Sequence, residues 1–206
     1  MRYYLYIYSG MALMSRLICL FSILCGIWSC VIVMPGCTNS EERILQEIEI
    51  MKKHVIQIPY GEMHAYRGKE IMENRISGKK IRLIKYSDST ECSTCMLKRM
   101  YDWEIVMDSL QHNDHIIDIL FIFSPPKDKI NAFEENLIKN QYPFPIYMDT
   151  CNAFLRANPH IPANPIMHSF LLDENDSVIL VGNPVRNKKI EELFFKILEE
   201  KKNEVE

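Results

Sequence analysis

Ile81-Arg82-Leu83-Ile84-Lys85-Tyr86, then Ser87-Asp88-Ser89-Thr90-Glu91, then Cys92-Ser93-Thr94-Cys95 is the stretch that decides the fold of this chain. The first part is rich in aliphatic residues and ends on an aromatic one, which suits a strand. The polar run that follows suits a turn. A helix is expected from Cys92, because Met96, Met100, Trp103, Met107 and Leu110 keep one face apolar at helical spacing. Two cysteines, i and i+3, therefore stand where a strand hands over to a helix.

Working outward, the same alternation continues. Ile116 to Phe123 is apolar except for Asp118, as expected of a strand covered on both faces in a parallel sheet. Ser124-Pro125-Pro126 stops it. A helix is expected from Lys129 to Gln141 with Ile130, Phe133 and Leu137 inward, then a short strand from Pro145 to Met148 and a short helix from Thr150 to Asn158. His168–Asp173 and Val178–Val181 read as a hairpin across Glu174-Asn175-Asp176-Ser177. Asn187 to Lys201 has the clearest helical period, with Ile190, Leu193, Phe194, Ile197 and Leu198 on one face. Before the deciding stretch, Asn39 to His54 reads as a capped helix with Ile44, Ile48, Met51 and Val55 inward, followed by an extended piece from Val55 to Pro59. Residues 60–79, punctuated by Gly61, Gly68 and Gly78, give no clear period. The order predicts an α/β domain with a mixed sheet flanked by helices.

Composition narrows the function. The 206 residues are 48% hydrophobic and 25% charged, which excludes a disordered or fibrous chain. The net charge of −3 gives no electrostatic footprint for nucleic acid. Residues 1–36 hold only Arg2 and Arg16 as charges and no acid, and the uncharged run Leu17–Met34 follows Arg16 directly. That is the charged-then-apolar order of an export signal. Met34-Pro35-Gly36-Cys37 resembles a bacterial lipobox, which implies cleavage before Cys37 and lipidation of its sulfur. The expected organisation is a signal peptide over 1–36, a tethering segment with an N-terminal helix over 37–80, and the sheet domain over 81–206. The expected location is extracytoplasmic, on the cell envelope, tied to the membrane by lipid on Cys37. Such a compartment permits disulfides.

A C-x-x-C pair alone is open to three readings: half a zinc site, a structural bridge or a redox dithiol. Zinc needs about two further ligands, and Cys151, His160 and His168 are the residues that could supply them, without paired spacing. The position at a helix start favours the dithiol, because amide donors there stabilise a thiolate. Cys92 is then the attacking thiol. Cys95, one turn in and expected beneath the first strand, is the resolving thiol that attacks a mixed disulfide on Cys92. Lys98 and Arg99 favour a thiolate and Glu91 opposes it. Asp118 reads as a hydrogen-bonded strand-end acid or a proton carrier, and His54, His112 and His115 as solvated.

Gly78-Lys79-Lys80, Cys92-Ser93-Thr94-Cys95 and Phe170-Leu171-Leu172-Asp173 before Val178–Val181 together resemble the thioredoxin-like fold, in particular the tethered extracytoplasmic thiol–disulfide proteins of Gram-negative bacteria. The resemblance spans Ile81 to the C-terminus. It implies disulfide exchange with exported protein thiols or disulfides, a redox partner, and no cofactor beyond the dithiol. Glu91 stands where that family carries Trp. The family's cis-proline position falls at Met167, with Pro165 two residues earlier, so Pro165 and Met167 are the candidate substrate-loop residues. The alternative reading is a non-catalytic envelope lipoprotein that binds a partner, its cysteine pair structural.

Overall fold

The structure, a computed structural model, describes residues 40–72, 80–110 and 116–205. The apolar head, Cys37, the expected cap Asn39, His112 and His115 lie outside the described residues. Strands β1 (His64–Arg67), β2 (Glu70–Met72), β3 (Ile81–Ser87), β4 (Ile117–Phe123), β5 (Ile146–Met148), β6 (Ser169–Leu172) and β7 (Val178–Val181) form one sheet in the order β2-β1-β5-β4-β3-β6-β7. β3, β4 and β5 run parallel, whereas β1, β6 and β7 each pair antiparallel with their neighbours. The helices are α1 (Ser40–Lys52), α2 (Ser93–Lys98), α3 (Glu104–Leu110), α4 (Ile130–Asn140), α5 (Ala153–Ala157) and α6 (Lys188–Val205). This is an α/β fold with a mixed sheet flanked by helices, as the sequence predicts.

Every residue of β3 is buried, because it is central and covered on both faces. Side chains alternate along it. Ile81 and Leu83 join Trp103, Phe121, Phe133 and Phe194 in one core. Ile84 and Tyr86 join Met51, Leu120, Ile122 and Phe154 in the other. The clear period of α6 is realised with Phe194 and Leu198 buried, but Leu193 is 47% exposed. Its N-terminus is capped by Asn187, whose Oδ1 accepts the N–H groups of Lys189 and Ile190.

Three expectations change. The helix expected from Cys92 to Leu110 is interrupted by a 3-10 segment over Arg99–Trp103. Leu97, Met100, Trp103 and Val106, at a spacing of three, are all buried, and a 3.0-residue turn keeps such a row on one side. Residues 60–79, without period in the sequence, include the hairpin β1–β2. Gly68 turns it at φ 63°, a conformation that side chains with a Cβ resist. The hairpin extends the sheet through β5, so Ile44–Glu206 is one compact unit and part of the expected tethering segment contributes strands. Val55, expected inward, is 57% exposed and makes only a bridge to Ser177.

Asp118 lies near the start of β4 and pairs with Lys80 at 3.3 Å. Cys92 follows the opposite end of the sheet, so Asp118 is the strand-end acid and no proton carrier for the dithiol. His54 is exposed, as expected, and stacks on His160 with ring centroids 4.5 Å apart. Among the described residues no helix is long and apolar enough to cross a membrane.

Candidate functional site

Parallel pairing brings the C-terminal ends of β3, β4 and β5 to one edge, where Ser87 lies beside Phe123 and Phe123 beside Met148. β6 starts from the same edge, with Ser169 paired to Lys85. Loops after parallel strands gather ligand-binding chemistry at such an edge. Here they carry Cys92, the Pro165–Met167 turn and Cys151.

The polar run before Cys92 is organised by Asp88. Its Oδ1 accepts the backbone N–H of Thr90 at 2.8 Å, the Thr90 hydroxyl at 2.6 Å and the Glu91 N–H at 3.3 Å. A carboxylate bonding its own chain two residues on is a turn former. It delivers Cys92 to the residue before α2. The Sγ of Cys92 accepts the backbone N–H of Cys95 at 3.3 Å, so this sulfur occupies an N-cap acceptor position. An N–H aimed at the sulfur stabilises the thiolate more than the thiol.

Cys92 and Cys95 form a disulfide, with Cα atoms 5.2 Å apart. The sequence places Cys95 beneath the first strand, whereas it is exposed, as is Cys92. The reason is helical phase. Leu97 takes the inward position with no exposure, and two residues turn a helix by about 200°. Asymmetry between the sulfurs therefore comes from the cap bond to Cys92, not from burial of Cys95.

Pro165–Met167 forms a 3-10 turn just before β6, and Asn164 Oδ1 accepts the Ile166 N–H at 3.2 Å. Among the described residues there is no cis peptide bond. Met167 is buried while Ile166 is 69% exposed. Pro165, Ile166 and Met167 line a groove of about 510 Å³ together with Glu91, Lys85 and Arg99. Lys98 is exposed and does not line it.

Two buried groups lie under this edge, Lys85 and His168, the second of which the sequence offered only as a zinc ligand. Lys85 is 5% exposed and donates to the Tyr86 carbonyl at 2.8 Å. Burial pushes its pKa down, partly opposed by the charge of Glu91. His168, fully buried, contacts the Pro162 carbonyl through Nε2 at 2.9 Å and meets the Tyr86 ring edge-on at 5.3 Å. Burial holds its pKa below the ordinary 6.5, against the opposing pull of the Pro162 carbonyl. The neutral tautomer with hydrogen on Nε2 satisfies that contact.

A stability prediction follows from His168 and from His160, whose pKa is also lowered, by burial first and the His54 charge second. The unfolded chain binds these protons more readily than the native one. Stability is therefore complete above the ordinary value of 6.5 and is lost as pH falls through and below it. The thermal midpoint should drop between about pH 7 and pH 5, and His168→Gln should flatten that slope. An identical slope in the variant would remove His168 from the explanation.

The residues considered for zinc are not gathered. His160 stacks on His54, His168 is buried on Pro162, and Cys151 is exposed in the turn after β5. Among the described residues no group of three metal-ligating side chains occurs. Asp149, 1% exposed, caps α5 by accepting N–H groups of Ala153 at 2.8 Å and Phe154 at 2.9 Å.

No protein-family model matches the chain, and no curated protein does. Solved structures resemble it at low identity. A thioredoxin-like protein in its oxidized form is 19% identical over 74% of this chain and 98% of its own, with a TM-score of 0.47. An uncharacterized thioredoxin-like protein of Porphyromonas gingivalis is 18% identical over 72% and 94%, with a TM-score of 0.44. The exposed lipoprotein thioredoxin of Streptococcus pneumoniae is 16% identical over 59% and 85%, with a TM-score of 0.40.

Proposed function

We propose that the chain exchanges thiols and disulfides with exported proteins through Cys92 and Cys95, tethered to the envelope by lipid on Cys37. The observation that carries this reading is the exposed Cys92 sulfur, held at a helix cap by the Cys95 N–H at 3.3 Å and bonded to an exposed Cys95. In the reducing direction the Cys92 thiolate attacks a substrate disulfide. A mixed disulfide forms and one substrate thiolate leaves. The Cys95 thiolate then attacks Cys92 Sγ, releasing the second substrate thiolate and closing the Cys92–Cys95 bond. Two electrons pass to the substrate, and a partner dithiol restores the enzyme. Oxidation of a substrate dithiol is the same sequence reversed. The export order of Arg16 and Leu17–Met34, with Gly36-Cys37 after it, supports the envelope location.

Met167, standing where the resembled family carries proline, favours the second reading, a partner-binding lipoprotein with a structural bridge. The reduction potential of the purified protein separates the two. Titration against a thiol buffer, read by alkylation and mass, should give a midpoint between about −270 and −120 mV, the span of thiol–disulfide exchangers. A midpoint below about −300 mV would assign the pair to a structural role.

A further inference from the structure

The groove next to the disulfide has a charge pattern unlike the rest of the chain. The whole protein carries −3, yet the groove lining contains Lys85, Arg99 and Arg186 against the single acid Glu91. Arg99 and Arg186 are both exposed. Neither guanidinium forms an ion pair among the described residues, whereas Arg82 pairs with Asp176 and Arg156 with Glu62, both away from this groove. They come from different parts of the chain, Arg99 from the segment after α2 and Arg186 from the loop before α6. Glu91 joins this lining directly before Cys92. The remainder of the wall is apolar, with Ile44, Ile48 and Ile190 facing Pro165 and the exposed Ile166.

Gly182 keeps the two walls close. Its φ is 135°, and a Cβ there would stand 3.0 Å from the Ile190 side chain. This close approach brings Ile190 and Arg186 up to the β6–β7 edge, where Gly182 N–H donates to the Ser169 carbonyl at 2.8 Å. The groove therefore sets two guanidinium groups without an ion pair beside apolar surface, with Asp102 lining the small adjoining cavity that both arginines share.

We propose that this groove selects its substrate: an extended, acidic segment of an exported protein, with aspartate or glutamate flanking the reacting cysteine and an apolar residue beyond. The inference rests on the disulfide-exchange reading and adds the substrate class to it. Arg guanidinium groups pair with carboxylates in bidentate geometry. Complementary charge chiefly raises the encounter rate and suppresses wrong partners. Glu91 adds to this discrimination by repelling acids placed immediately at its own carboxylate, so the acidic residue is read from the Arg99 and Arg186 side.

Two otherwise identical disulfide-linked peptides test it, one with aspartates flanking its cysteine and one with lysines in those places. The full mature protein in its reduced form should reduce the acidic peptide with a kcat/KM about tenfold higher at low salt, the product of two exposed ion pairs. The preference should shrink toward unity at about 0.5 M salt, where such pairs are screened. Arg99→Glu and Arg186→Glu should each reduce it, and the double change should reverse it. The milder Arg99→Gln guards against a folding defect. A serine version of each peptide, labelled and titrated by fluorescence anisotropy, reads recognition without any sulfur chemistry. Equal kcat/KM for both peptides, unaffected by salt or by either arginine, overturns the acidic substrate class and leaves disulfide exchange standing. Reduction of neither peptide overturns disulfide exchange; binding of the acidic serine peptide alone would then keep the groove as an acid-recognition site, and equal binding of both would end that too.

Discussion

Cys92→Ser should abolish the proposed disulfide exchange, whereas Cys95→Ser should halt it half-way and accumulate mixed disulfides with its protein partners. The expectation comes from the different surroundings of two exposed cysteines. Cys92 Sγ receives the Cys95 N–H at 3.3 Å, and such a donor stabilises a thiolate more than a thiol. Cys95 is a helical residue without such a donor in the described structure. Because both are exposed, alkylation of the reduced protein should label both, with Cys92 faster at pH 7. In Cys95→Ser nothing remains to attack the mixed disulfide on Cys92, so partners stay attached and appear as higher-mass bands lost on reduction. In Cys92→Ser the remaining thiol lacks the cap donor, and capture should fall well below that of Cys95→Ser. Equal labelling rates with equal capture by the two variants would show that the cap bond confers no asymmetry. Capture by neither would return the pair to a structural role.

Much of this site was legible because it lies within one short segment. The strand Ile81–Ser87, the polar turn and the cysteine pair follow one another in sequence, and both strand burial and helix start leave local signatures. β4, the β6–β7 hairpin and α6 were legible for the same reason, each having a single strong period. What was not legible depends on partners far away in the chain. β2 is three residues long with Ile71 68% exposed, so its pattern carries no burial signal, and it becomes a strand only by pairing with β1. The outward turn of Cys95 follows from Leu97, Met100 and Trp103 all facing inward, which tertiary packing decides between a 3.6 and a 3.0 period. The meeting of Arg99 with Arg186 beside Glu91 joins residues 87 positions apart, and no local pattern announces it.

Leu120→Asp unfolds the domain. Leu120 is 3% exposed at the middle of β4, directly beside Ile84 of β3, in the core that also holds Tyr86, Ile122, Phe154 and Phe170. β4 lies between β3 and β5, so no sheet edge is at hand to let the new carboxylate reach water. A buried charge without a partner costs about 3–5 kcal/mol, and the lost leucine contacts add about 2–5 kcal/mol. Against a total stability of about 5–15 kcal/mol this is enough to empty the native state at room temperature. Lowering the pH should partly rescue it, since a protonated carboxyl costs less to bury. The control is Leu193→Asp on α6. It belongs to the same kind of helical or strand period in sequence, but it is 47% exposed, so the change should stay within about 0.5 kcal/mol. Urea unfolding followed by tryptophan fluorescence reads both, with Trp103 in the opposite core as reporter. A Leu120→Asp protein as stable as its parent would mean that β4 is not the central strand that carries the edge on which Cys92 sits, and the placement of the site would fall with it.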